Sequence, residues 1–146
     1  MAITSAICNS FKTEILKAVH NFTASTGNTF NIALYTSSAT LGAGTTAYSS
    51  GNEITNSSGS AYSAKGKALT SVTPVASSTT AVCDFSDISW TSASFTARGC
   101  MIFNDSATGD PSVCCIDFGG DKTATNGTFT IQFPTANSSD AIIRIA

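Results

Sequence analysis

The chain has 146 residues, which is enough for one domain with its own apolar core. Hydrophobic residues make up 42% of it, whereas charged residues make up only 11%, less than half of the roughly 25% typical of soluble domains. A net charge of −2 without any lysine- or arginine-rich run argues against nucleic acid as a partner, and no apolar run approaches the roughly 20 residues that span a bilayer. We therefore expect a single domain made in a cytoplasm, with no nucleic-acid and no membrane partner.

Serine, threonine, asparagine and glycine take the place of the missing charges. A lone soluble domain normally relies on surface charge to remain apart from its neighbours, and a component of an assembly depends on that charge less. The composition fits an assembly component, and it fits equally an ordinary threonine-rich β-domain.

The first predicted element is an amphipathic helix over residues 5–20. Its apolar residues recur at every fourth position and so share one face. The polar residues 21–28 would end it, with His20 at its terminus interacting with the last carbonyls. The residues of the apolar face are Ile7, Phe11, Ile15 and Val19.

The spacing of the apolar residues then changes from the period of a helix to the period of a strand. Phe30, Ile32 and Leu34 alternate with less apolar residues, which predicts a strand with one apolar face. Residues 36–60 form a long polar excursion with one short strand near 53–55. A stretch of this length is usually a binding element, and the alternative is a loop that orders only against a neighbour.

Short strands follow one another over the rest of the chain, separated by turn residues. Asp110-Pro111 would end the loop 105–110, and Asn126-Gly127 predicts a tight reversal because this pair adopts positive φ at low cost. The strands are predicted at 61–70, 71–76, 79–85, 88–90, 94–104, 112–118, 128–133 and 141–146.

The alternation changes parity between Phe85 and Ile88, which requires a bulge or a corner at Ser86-Asp87. Chains change sheets at such corners in sandwiches and barrels. About eight strands with turns every 8 to 12 residues favour a mainly β fold. We predict a single domain over residues 1–146, an antiparallel β-sandwich or jelly-roll-like fold with one N-terminal amphipathic helix.

The cysteines form no C-x-x-C pair, and with a single histidine they lack the spacing of a structural zinc site. The adjacent pair at 114 and 115 would point to opposite faces of a strand. We interpret all of them as buried reduced thiols, and a disulfide formed in an oxidising medium is the alternative. They are Cys8, Cys83, Cys100, Cys114 and Cys115.

Three sequence patterns could indicate a catalytic or cofactor site, but each lacks the structural context that such a site requires. Residues 42–47 fit G-x-G-x-x-A, but no helix is predicted after them to meet a phosphate. The Asp-Phe-Gly triplet at 117–119 matches a kinase motif in a chain too short for that fold, and is interpreted as a strand end. His20 and Cys8 would lie three turns apart on the helix, too far for a catalytic pair. We predict no catalytic and no cofactor-binding residue, and no cofactor.

The aspartates are scattered over several segments. Two of them could meet as a glycosidase pair or hold a surface calcium ion, but no D-x-[DN]-x-[DN]-G loop is present, and turn caps account for most. We predict no metal site. The residues are Asp84, Asp87, Asp105, Asp110, Asp117, Asp121 and Asp140.

Aromatic residues offer one further alternative. Trp90, Tyr35, Tyr48 and Tyr62 could stack on sugar rings, although tryptophan in a sandwich is more often a core or interface residue.

Several segments together resemble the small virion structural proteins of tailed bacteriophages, and the resemblance covers most of the chain. It implies a non-enzymatic component of the particle. The segments are AICNSFK at 6–12, IALYTSSATLG at 32–42, ISWT at 88–91, TARG at 96–99, DFGGDK at 117–122, TNGTF at 125–129 and AIIRIA at 141–146.

From this resemblance we expect a capsid decoration (cement) protein on the virion surface, which binds the major capsid protein and forms a dimer or trimer. The alternatives are a tail or fibre-associated component and, from another class, a carbohydrate-binding module. The contacts expected to face the capsid are the excursion 36–60, the residues before the helix, and any unpaired edge strand.

Overall fold

The computed structural model of the chain describes residues 2–55 and 57–146. Most elements are strands, and the one α-helix among these residues is short. No helix in this part of the chain is long and apolar enough to cross a membrane. In chain order the elements are β1 (Ala6–Ile7), α1 (Asn9–Leu16), β2 (Phe30–Tyr35), β3 (Lys67–Ala68), β4 (Ser71–Ser77), β5 (Thr80–Phe85), β6 (Ile88–Asn104), β7 (Ser112–Ile131) and β8 (Ile143–Ile145).

The strands form two antiparallel sheets, which confirms the predicted mainly β, sandwich-like fold. One sheet has five strands in the order β1-β7-β6-β2-β3, and the other has three in the order β4-β5-β8. The long strands β6 and β7 pair along nearly their whole length, from Ile88 opposite Ile131 to Phe103 opposite Ser112. This pair forms the centre of the larger sheet. One cluster of buried side chains contains residues of both sheets, among them Ile102 of β6 and Phe85 of β5.

The predicted corner at Ser86-Asp87 is confirmed. β5 ends at Phe85 in the three-stranded sheet, and β6 begins at Ile88 in the five-stranded sheet. The exposed Ser86 and Asp87 connect the buried end of β5, at Phe85, with β6, whose first buried residue is Trp90.

The helix is shorter than predicted. Only Asn9–Leu16 is helical, because Ala6–Ile7 pairs with β7 as an extended strand and Ala18 adopts a positive φ of 57°. His20 therefore lies beyond the helix, and the prediction that it bonds the last carbonyls is wrong. Its Nε2 lies 2.9 Å from the Glu14 carboxylate, and its Nδ1 lies 3.2 Å from the Asn104 amide nitrogen.

β2 is buried on both faces, whereas the alternation predicted only one apolar face. Ala33 and Tyr35, on the second face, are fully buried. The excursion reaches this face, because the Tyr35 hydroxyl donates to the Ser49 carbonyl at 2.7 Å. Glu53 of the excursion also forms a β-bridge with Tyr35 at the edge of the strand. Alternation along a strand does not reveal whether a segment distant in sequence covers its second face.

Four of the predicted strands merge into two. Residues 88–90 and 94–104 form β6, and residues 112–118 and 128–133 form β7, which ends at Ile131. The Asn126-Gly127 pair is therefore not a reversal. Asn126 does adopt positive φ, at 46°, but it does so in a bulge of β7. The predicted strand at 61–70 is reduced to Lys67–Ala68, and that at 141–146 to Ile143–Ile145.

Candidate interaction surface

The excursion 36–60 is tied to its own domain. The amide of Thr4 donates to the Leu41 carbonyl at 2.9 Å, and the amide of Leu41 donates to the Ala2 carbonyl at 3.1 Å. The amide of Asn9 donates to the Ala43 carbonyl at 2.8 Å. In the described part of the excursion, the backbone is thus ordered by intramolecular bonds, and the alternative that it orders only against a neighbour is wrong.

The half-buried carboxylate of Glu53 holds the base of the excursion. The Tyr48 hydroxyl donates to one oxygen of Glu53 at 2.6 Å, and the Tyr62 hydroxyl donates to the other at 2.7 Å. The Tyr62 oxygen also accepts the amide of Leu34 at 2.8 Å. Burial is the largest cause of the raised pKa of both tyrosines, to about 12 for Tyr48. Both phenols therefore stay protonated, and continue to donate, even at a pH equal to the ordinary tyrosine pKa of 10.

Lys65 links its own turn to the loop 105–110 through two ion pairs. The Lys65 ammonium lies 2.8 Å from a carboxylate oxygen of Asp105 and 2.8 Å from one of Asp110, and it sits over the Tyr48 ring. The two carboxylates raise the pKa of Lys65. This lysine occupies the space between them that a cation or a glycosidase substrate would need. No group of three or more His, Cys, Asp or Glu in the described residues could hold a metal ion.

The N-terminal segment and the excursion meet at one shallow surface, which we call the polar depression. It has a volume of about 810 Å³, and none of its lining residues carries a charge. Two of the three segments expected to face a partner therefore lie side by side. The lining residues are Ala2, Thr4, Thr40, Leu41, Gly42, Gly44, Thr45, Thr46, Ala47 and Ser49.

Part of the N-terminal segment is unavailable to a partner. Ile3 is buried, and it forms a parallel β-bridge with Leu41. Its side chain packs against Gly99, where an added Cβ would lie 2.9 Å from the Ile3 methyl groups. Ile3 thus belongs to the core, and only its neighbours line the surface.

An unpaired strand edge, the third expected contact, is present in β7. β1 covers this strand only at Cys114 and Cys115. Beyond the irregularity at 117–122, residues 122–131 pair with β6 on one side, and no other described segment forms backbone hydrogen bonds with them. We call residues 122–131 the free edge.

The aromatic residues do not form a platform for sugars. Trp90, Tyr35 and Tyr62 are all but completely buried, and the half-buried Tyr48 ring stacks on Phe103 at 4.8 Å. Trp90 packs in a cluster with Tyr62 and the phenylalanines of β6 and β7. The interpretation of Trp90 as a core residue is confirmed. The carbohydrate-binding alternative would expose Trp90 or Tyr48, and of these Trp90 is enclosed and Tyr48 is half-buried.

All five cysteines are buried free thiols. Cys8 and Cys115 approach each other most closely, with their sulfur atoms 4.0 Å apart. The hydrogen bond between them lowers the pKa of Cys8 and raises that of Cys115. Burial raises the pKa of Cys83 and of Cys114 to about 12 in each case. These thiols pack as small apolar side chains.

The remaining motifs have structural roles. Residues 42–47 form a loop that no helix follows in the described residues before β3, so they do not form a phosphate site. The triplet 117–119 lies inside β7, not at a strand end as predicted. There the Asp117 carboxylate accepts hydrogen bonds from Arg98 at 2.9 Å and from the amide of Gly119 at 3.0 Å.

Comparisons with protein-family models, with curated proteins and with solved structures found no match for this chain.

Proposed function

We propose that this chain is a non-enzymatic virion structural protein of a tailed bacteriophage, namely a capsid decoration (cement) protein. It docks on the outer face of the head and bridges subunits of the major capsid protein. The proposal draws on the resemblance to these virion proteins and on the surface that the N-terminal residues and the excursion form together.

The polar depression is the observation that supports this role best. Thr4 comes from the segment before α1, and Thr40 and Thr46 come from the excursion, so one surface combines two separate segments. Hydroxyl and backbone groups without charge can hydrogen-bond to a protein surface without the desolvation cost of buried ions. The glutamate–tyrosine contacts behind it hold the excursion in place, which reduces the entropy lost on docking.

Stabilisation of the head would follow from thermodynamic linkage between binding of this chain and assembly of the lattice. A protein that binds only the assembled lattice lowers the free energy of that state, and one that spans two capsomers opposes their separation. A dimer or trimer would match the symmetry of such positions and multiply the contacts made at once.

The test is the copy number of this chain in purified particles, measured by quantitative mass spectrometry against the major capsid protein. We expect a ratio near one or a simple fraction of it. Only a few copies per particle would indicate a tail or fibre component instead, and absence of the chain would overturn the virion assignment.

A variant pair tests the polar depression itself. An added Cβ at Gly44 meets no atom within 4 Å, so Gly44→Arg should fold normally while its side chain obstructs docking. Thr13→Arg, on the exposed side of α1, is the matched control. We expect reduced occupancy of heads for Gly44→Arg alone, and equal occupancy of both would exclude the depression as the contact.

A further inference from the structure

The free edge carries backbone groups that nothing in the described structure satisfies. In an antiparallel strand, alternate residues direct their N–H and C=O groups to opposite sides. On one side the free edge pairs with β6, from Ala97 opposite Lys122 to Ile88 opposite Ile131. Its other side carries N–H and C=O groups that no described segment bonds, in two extended stretches on either side of the bulge at Asn126. Natural edges are usually short, charged or bulged, and this one carries a bulge at Asn126 and a single charged residue, Lys122, in ten positions.

An apolar groove runs beside this edge. It has a volume of about 480 Å³, and we call it the edge groove. Its walls come from β7 and from the segment that follows it, and they leave several large apolar side chains only partly buried. These residues are Ile116, Phe118, Ile131, Phe133 and Ile142. A groove of this size and lining lies in the range of binding sites.

Lys122 lies at the edge groove without a partner. It is opposite Ala97, a fully buried residue, so its side chain leaves the strand on the inner face. In contrast to Lys65 and Arg98, each bonded to a carboxylate, Lys122 has no ion pair or side-chain hydrogen bond among the described residues. The groove therefore combines apolar walls with one available positive charge.

We propose that the edge groove takes up an extended strand of the major capsid protein by β-strand addition along residues 122–131. An extended backbone can bond to the free N–H and C=O groups on either side of the bulge, and alternate side chains of that strand would enter the groove. The incoming strand therefore has apolar residues at alternate positions and a carboxylate that meets Lys122. This inference rests on the proposed function and names the element by which the partner is held.

A second copy of this chain fits the edge less well. If two free edges paired in full overlap around a two-fold axis, Lys122 of one copy would approach residues 130–132 of the other. Those residues are Thr130, Ile131 and Gln132, and none of them supplies a carboxylate. Charge complementarity therefore favours a different partner.

Hydrogen exchange measured by mass spectrometry tests the proposal on the full chain, free and bound to purified particles. In the free chain, amides of residues 122–131 that point away from β6 should exchange rapidly. On particles, we expect their exchange to slow by at least about tenfold, as it does for hydrogen-bonded strands. Binding to particles without added protection at 122–131 would overturn the strand addition while leaving the proposed function intact.

A charge reversal provides the second readout. Lys122→Glu should reduce affinity for particles by about tenfold, because two carboxylates then face each other at the groove. Lys12→Glu, an exposed lysine on α1, should bind as the wild-type chain does. Equal binding of both variants would contradict the proposal, as would a free chain that is dimeric and already protected at 122–131. A wild-type chain that does not bind particles would instead overturn the proposed function.

Discussion

Asp84 is a buried carboxylate near the end of β5. One of its oxygens accepts the amide of Phe85 at 2.9 Å, and the backbone of Ile142 also bonds to the side chain. The other oxygen has no hydrogen-bond partner among the described residues. Burial, which is the largest cause, and the nearby charge of Asp87 raise the pKa of Asp84 above its ordinary value of 3.8. The ionised form is therefore poorly accommodated.

This raised pKa predicts an unusual pH dependence of stability. The folded protein binds the Asp84 proton at higher pH than the unfolded chain does, so this group contributes stability at low pH and loses it as pH rises through the folded pKa. We expect Asp84→Asn to gain stability relative to wild type as the pH is raised from 4 to 7, since asparagine cannot ionise.

Urea unfolding of both proteins across this pH range measures the difference. Asp121→Asn, at an exposed carboxylate, is the control and should follow the wild type at every pH. A constant difference between Asp84→Asn and wild type would show that Asp84 is ionised equally in the folded and unfolded states.

At the scale of elements, the turn before β3 depends on one glycine. Gly66 has a φ of +65°, and a Cβ added there would lie 1.8 Å from the carbonyl oxygen of Ile32 in β2. Only a residue without a side chain allows β3 to lie against β2. The turn also brings Lys65 to its two aspartate partners.

Gly66→Ala should therefore destabilise the domain by about 2 kcal/mol or more, from positive φ and from the collision with the β2 backbone. Gly44→Ala is a matched control, because its Cβ would meet no atom within 4 Å, and it should change stability by less than about 0.5 kcal/mol. Denaturant midpoints of the two variants provide the measurement, and similar midpoints would contradict this account of the turn.

The strands show how much of the sheet structure the local sequence pattern predicts. Alternation located β2, β4 and β5 closely, and the parity change before Ile88 predicted the corner between the sheets. Asn126-Gly127 misled the prediction because its preference for positive φ is the same in a reversal and in a bulge. In this fold Ser94 stabilises the bulge, because its hydroxyl accepts a hydrogen bond from the Asn126 amide at 2.9 Å. That partner is 32 residues away in sequence.

At the scale of the whole molecule, the proposed role predicts an effect on particles. Heads that lack this chain should disassemble at a lower temperature than wild-type heads, and addition of the purified chain should restore the difference. At a free concentration one hundred times Kd, each occupied site would gain about 2.7 kcal/mol.

Thermal disassembly of the heads can be followed by calorimetry or by release of their contents. Gly44→Arg serves as the control, since a chain that cannot dock should restore nothing. If the wild-type chain saturated the heads and left their disassembly temperature unchanged, it would decorate the capsid without cementing it.

The sequence by itself determined the mainly β class, the change of sheet at Ser86-Asp87 and the buried character of the cysteines. It also indicated the excursion 36–60 as a candidate binding element. These features follow from side-chain periodicity and composition, which are local. Tertiary structure alone decided that Ile3 is a core residue, that Asp84 is buried, and that the free edge borders an apolar groove. Each of these depends on which distant segment covers a given face or edge, and no local period carries that information.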